Sequence, residues 1–245
     1  MNQNNIFTSI AAVCRRFYGR NINCELDEFP YYCAPAAGLL PGLLMSVMGA
    51  AFVLIMGRIG GGIMAALILP LFLEMLTGWR GITVSVAWIE QLVSGKQNAE
   101  VKDNRVQMQK QILFASIYLF RMVAFGLLAA SGNAVWIIYV LGGAYLIRGE
   151  LLKDDEEFED GFRFSGWIFY LIFALLAGIL SFHWNALASL PLAIILTVLF
   201  LIGSRRFIEK FFERTEIWTT DLLGYLSENL MLFAGLILFG RQIYG

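Results

Sequence analysis

Charge is scarce in this sequence: Asp, Glu, Lys and Arg make up 15% of its 245 residues, against 58% hydrophobic. A soluble domain carries about 25% charged residues. The chain could not cover its apolar surface with polar groups in water, which excludes a water-soluble globule. Cysteine is thin too. Cys14, Cys24 and Cys33 all precede the first long apolar run, with no CxxC spacing and no histidine partner. An odd set of this kind excludes a disulfide framework or zinc site and reads as reduced cytosolic thiols. A cleavable signal peptide is missing as well, because Arg15, Arg16 and Arg20 follow the first apolar stretch instead of preceding it. The formal net charge of −1 gives no reason to expect nucleic acid. There is no internal repeat and no low-complexity tract.

Long apolar runs are what the chain has in plenty. A helix needs about 20 apolar residues to cross the hydrocarbon core, at about 1.5 Å per residue. Runs that meet this predict spans at Ala34–Met56, Gly60–Trp79, Ile112–Ala130, Asn133–Ile147, Phe164–Phe182, Ala186–Gly203 and Leu222–Phe239. The fourth is short, so it either tilts less than the others or extends past these limits. Gly81–Val93 is apolar but interrupted by Glu90, which places it at or near the membrane interface. The fold class is therefore all-α: a polytopic helical bundle of about seven transmembrane helices, with the lipid bilayer as its first partner. Residues 1–33 form a cytoplasmic segment and 34–245 a single transmembrane domain.

Basic residues collect on the cytoplasmic side of membrane proteins. With seven spans and a cytoplasmic N-terminus, 15 of the 18 Lys and Arg residues fall inside, Arg58 and Arg241 fall outside, and Arg121 lies within a span. Adding or removing one span scrambles this division. The outer turns, Ser131–Gly132 and His183–Asn185, are too small to hold a site. In the N-terminal segment, Ile6, Ile10, Val13 and Phe17 share one helical face beside Arg15 and Arg16, the pattern of an amphipathic helix on the inner leaflet. The acidic run Asp154–Asp160 reads first as a solvated loop, and second as a surface for a divalent metal or a basic partner.

Charges inside spans cost about 2.5–3.5 kcal/mol each at the helix centre, and mark sites by default. Three qualify: Glu74, Arg121 and Glu228. Glu74 lies near the inner end of its helix, within snorkelling distance of the interface. Arg121 lies mid-span and needs a partner, for which either glutamate would serve. Asp221 and Glu228 are seven apart and project from one face, with Gly224 between them on the same stripe, so that a ligand or another backbone could approach closely there. Lys102-Asp103-Asn104-Arg105 precedes the third span; alone it reads as headgroup anchoring.

Taken in order, four blocks resemble the cobalamin synthase family, the adenosylcobinamide-GDP ribazoletransferases of the bacterial inner membrane. Ala34-Pro35-Ala36-Ala37-Gly38-Leu39-Leu40-Pro41-Gly42 is similar to that family's FPLxGLLLG, and Leu76-Thr77-Gly78 to the end of its second helix. Val101-Lys102-Asp103-Asn104-Arg105 is similar to MKDSR, and Thr219-Thr220-Asp221-Leu222-Leu223-Gly224-Tyr225-Leu226-Ser227-Glu228 to TGDxLGAxxE. The resemblance implies joining of α-ribazole, or its phosphate, to adenosylcobinamide-GDP with release of GMP. It implies Mg²⁺ as cofactor and a corrinoid nucleotide and α-ribazole as substrates. Asp103, Asp221 and Glu228 would be catalytic, and Lys102, Asn104, Arg105, Thr219 and Gly224 would bind substrate. Asp221, Glu228 and Glu90 would hold the metal.

The chain departs from the family where HLDGLADTxDG is expected. Aligned from Gly81, the three aspartates become Arg80, Val84 and Ala87; aligned without a gap from Thr77, they become Thr83, Ala87 and Glu90. In the C-terminal block, Glu216 and Ile217 replace glycines and Met231 replaces a second glutamate. Mg²⁺ bridging phosphate oxygens favours carboxylates plus water, so this loss makes an inactive relative, one that binds corrinoid or nucleotide or scaffolds a complex, the alternative to a working transferase. A small transporter, prompted by Arg121 and Glu228, is a third class. A phospholipid-type CDP-alcohol transferase lacks its aspartate signature here. Nothing in the sequence opposes oligomerisation.

Overall fold

The computed structural model describes residues 10–11, 14, 17–18, 33–94, 104–152, 163–180, 184–211 and 217–239. Helices account for the elements among them: α1 (Ala34–Thr77), α2 (Arg80–Ser94), α3 (Asn104–Ala130), α4 (Val135–Leu151), α5 (Arg163–Leu180), α6 (Trp184–Phe211) and α7 (Ile217–Phe239). Four of these are long and apolar enough to cross a membrane: α1, 108–130 of α3, 187–210 of α6 and 218–239 of α7. Large apolar side chains stand fully open on the outside, Leu54 at 85% and Ile59 at 82% exposure. Water would penalise that surface; lipid does not.

α1 is not one rod. Gly57 sits at φ 74°, ψ 173°, far from helical values, and a Cβ added at Gly61 would lie 2.4 Å from Val53 Cα. Residues eight apart in a continuous helix are about 12 Å apart, so the chain doubles back here. The two arms, 34–56 and 58–77, match the first two runs of the sequence. Pro35 opens the first arm, where its missing N–H goes unneeded. Gly78 closes the second in a left-handed conformation, and Trp79 behind it donates its N–H to the Glu74 carbonyl at 2.9 Å. Trp79 also adopts a positive φ, and these two residues swing the chain into α2.

α4 is the axis of the bundle. Every residue from Val135 to Leu151 is buried, because α1, α5, α6 and α7 surround it. Enclosed on all sides, it needs neither a polar face nor lipid-facing length, and it runs four residues past the expected end at Ile147. Close approach depends on glycine: a Cβ at Gly38 would sit 2.1 Å from the Leu141 carbonyl oxygen, and one at Gly42 would sit 2.9 Å from Ile138 Cα. α1 and α3 meet the same way, through Gly62 and Gly126. Rings fill the rest. The Trp136 indole N–H donates to the Met231 carbonyl at 2.9 Å, and the Tyr170 hydroxyl donates to the Tyr139 carbonyl at 3.2 Å.

The Gly57 reversal and the Ser131–Gly132 turn lie together at one end of the bundle, since Gly62 abuts Ala130 and Gly49 abuts Ala134. The opposite end gathers the starts of α1 and α7, the end of arm 58–77 and the end of α4. Of the N-terminal segment, Ile10, Cys14, Phe17 and Tyr18 are described. They pack onto Cys33, Ala34, Ala37, Tyr145 and Leu152, so their apolar face covers the protein's own helix ends where the inner leaflet was expected. Burial pushes the Cys14 thiol and, more strongly, the Tyr18 hydroxyl above their ordinary pKa ranges. The acidic run 154–160 lies outside the described residues.

Candidate functional site: an arginine-carboxylate cleft

At this second end, six charged residues from five helices line one cleft: Glu74 from α1, Arg80 from α2, Arg121 from α3, Arg148 from α4, and Asp221 and Glu228 from α7. Its empty space, open mouth included, is about 340 Å³. Leu73 and Thr77 form part of one wall, and Phe17, Tyr145 and Tyr225 contribute rings.

Arg121 is 1% exposed and is held by both glutamates at once. Its Nη2 bonds to Glu228 Oε1, and its Nε lies 3.3 Å from Glu74 Oε1. Tyr225 completes the grip: its hydroxyl donates to Glu74 Oε1 at 3.3 Å, and its ring lies 4.8 Å from the guanidinium carbon. The sequence offered two candidate partners for Arg121, and the fold uses both. Glu74, for which snorkelling and pairing with Arg121 were both open, turns inward and is 1% exposed. The reason is electrostatic: an unpaired guanidinium in this interior would cost more than withdrawing one carboxylate from the interface.

Arg148 was counted among the boundary cations by its place at the end of an apolar run, yet it is 5% exposed and belongs to this cleft. Its guanidinium lies over the Tyr145 ring at 4.4 Å, the i−3 neighbour on α4. Gly224 makes room for it, since a Cβ there would meet Arg148 Nε at 2.3 Å. The close approach expected at Gly224 is thus taken up by a side chain of the same protein. The Tyr145–Arg148 pair at helical spacing was the signal in the sequence. Gly81 has a similar duty, its bare Cα facing the Tyr225 ring.

Of the residues singled out beforehand, Asp221 and Glu228 line this cleft together, as their seven-residue spacing predicts. Thr219 is fully buried in the first turn of α7. Lys102 and Asp103 lie outside the described residues. Asn104 and Arg105 open α3, about 25 Å along that helix from Arg121 at 1.5 Å per residue. Glu90 lies in α2, and its side chain is outside the description. As to Mg²⁺, among the described residues no three His, Cys, Asp or Glu side chains converge on a point. Glu228 turns Oε1 to Arg121 and Oε2 toward Arg148, at 3.8 Å. The described donors therefore do not by themselves compose a Mg²⁺ site.

What the cleft does offer is guanidinium groups beside carboxylates in one recess, an arrangement suited to gripping a phosphoryl group. Compared with protein-family models, with curated proteins and with solved structures, the chain matches none.

Proposed function

We propose that this chain is a seven-crossing protein of the bacterial inner membrane, with its N-terminus and the charged cleft on the cytoplasmic side, and that it acts on a phosphate-bearing substrate there. The resemblance to cobalamin synthases names the reaction: α-ribazole, or its phosphate, joined to adenosylcobinamide-GDP with release of GMP. The observation that carries the reading is the convergence of Arg80, Arg121 and Arg148 with Asp221 in one recess. In that reaction an oxygen of α-ribazole attacks phosphorus, and the bond to the GMP oxygen breaks. Negative charge grows on the leaving group, and guanidinium donors already fixed in a low-dielectric recess stabilise it. Asp221 at the mouth is the carboxylate suited to accept the proton of the attacking hydroxyl. Lys102, Asp103, Asn104 and Arg105 enter this reading by resemblance alone.

One observation favours a second reading, a relative that binds corrinoid nucleotide without turning it over. Glu228 is engaged by two arginines, which withdraws it from metal binding. A single assay separates the two. Purified protein in nanodiscs is incubated with adenosylcobinamide-GDP, α-ribazole and Mg²⁺, and cobalamin and GMP are measured. Product that disappears in Asp221→Ala supports the enzyme. Corrinoid binding without product supports the second reading, and neither sinks both.

A further inference from the structure

The two buried arginines of the cleft, Arg121 and Arg148, are not equivalent. Arg121 has a bonded carboxylate, a second carboxylate at 3.3 Å and a ring against it. Arg148 has much less. Its Nη2 is 3.8 Å from Glu228 Oε2, beyond hydrogen-bond reach. Its buried Nε has no hydrogen-bond partner, as is also true of Nε and Nη1 of Arg121, but no carboxylate oxygen stands as near to Arg148 as the two that hold Arg121. Buried polar groups are nearly always satisfied, and an orphaned donor in a native interior calls for a cause. Gly224 lies close against that nitrogen without bonding it, a Cβ there falling within 2.3 Å of Nε, and the guanidinium stacks over the Tyr145 ring. The side chain is held flat, stacked and under-bonded at the wall of an open cleft.

We propose that Arg148 is the anchor of an oxyanion site for the phosphate group of an ester, and that Arg121 remains occupied by its two glutamates when that site fills. Nε and one Nη of a guanidinium form a fork that matches two oxygens of a phosphate. The charges lining the cleft balance, three guanidiniums against three carboxylates, so an entering anion meets no excess of negative charge. Phe17 packs edge-on against Tyr145 with ring centroids 5.0 Å apart, and it also lines the cleft. This site requires no transfer reaction and fits a binding protein as well as an enzyme.

The test uses the full chain in detergent with inorganic pyrophosphate as probe, read by calorimetric titration. Wild type binds, Arg148→Gln binds at least tenfold more weakly, and Arg148→Lys, which keeps the charge but loses the fork, falls between them. Gly224→Ala keeps Arg148 but pushes a methyl group onto its Nε, and weakens binding as well; this variant answers the question should Arg148→Gln not fold. A second arm distinguishes a soluble ester from a lipid headgroup. If thermal midpoints in nanodiscs rise on replacing phosphatidylcholine by phosphatidylglycerol in wild type but not in Arg148→Gln, the oxyanion is the headgroup's. The proposal is overturned if neither pyrophosphate nor phosphatidylglycerol distinguishes wild type from Arg148→Gln, or, where that variant does not fold, from Gly224→Ala. Loss of transferase product with pyrophosphate binding intact would count against the enzyme reading alone.

Discussion

The body of the bundle and its charged end are held together in opposite ways. Around α4, backbones touch through Gly38 and Gly42, and rings such as Trp136 and Tyr170 fill what remains. At the cleft α1, α2, α3, α4 and α7 instead meet through long charged side chains that line one recess. Apolar packing tolerates small losses nearly independently of one another, whereas a buried charge network is satisfied or broken as a unit. The body therefore supplies steadiness, and the cleft supplies a shape that depends on Arg121 being held by Glu74 and Glu228.

The largest effect should follow from Arg121→Ala, which strands Glu74 and Glu228 in the interior. Loss of one partner of a buried pair costs about 3–5 kcal/mol, seen as a drop in unfolding free energy in detergent. Replacing the set together, as Arg121→Met with Glu74→Gln and Glu228→Gln, should restore most of that loss. Failure to do so would mean that the network, not the packing, dictates the fold. Next comes Gly38→Ala, whose methyl group would overlap the Leu141 carbonyl and force α1 from α4 at a cost of about 1–3 kcal/mol. Trp136→Phe removes the bond to the Met231 carbonyl and some ring volume, for about 1–2 kcal/mol. Tyr170→Phe loses one bond of 3.2 Å and should cost about 1 kcal/mol or less. If the last two cost as much as Arg121→Ala, the contrast between the regions is void.

The smallest effect concerns reactivity at the edge of the charged end. Burial raises the Cys14 pKa, which disfavours the thiolate, so in a Cys24→Ser, Cys33→Ser background its alkylation at pH 8 should be slower than that of an exposed thiol. The rate should climb as pH passes the raised value. Alkylation as fast as that of a model thiol would mean that the N-terminal segment does not rest on Tyr145 and Leu152.

Much of this architecture was legible in advance. Apolar run length alone marked the two arms of α1, and α3, α6 and α7, because crossing a bilayer imposes a length that composition records directly. The insertion cost of a charge likewise singled out Glu74, Arg121 and Glu228, the residues that meet. Periodicity did not reveal which way Glu74 turns, since that depends on Arg121 arriving from a helix dozens of residues later. Arg148 escaped for a related reason. A cation at the end of an apolar run reads as an anchor at the water interface, and only enclosure by four neighbouring helices converts it into a buried group. The N-terminal segment shows the same limit: an amphipathic face says that something apolar covers it, without saying whether that is lipid or protein.

The complete enclosure of α4 has a consequence for how the protein is made. Translation runs from the N-terminus, so α4 leaves the ribosome after the α1 arms and before α5, α6 and α7 exist. For that interval Trp136, Tyr139 and Arg148 have only part of their shelter. The nascent chain must hold its most secluded helix half-dressed until the later ones close around it, and a chain halted once α4 has cleared the exit tunnel but α5 has not would display surfaces that the finished molecule never shows.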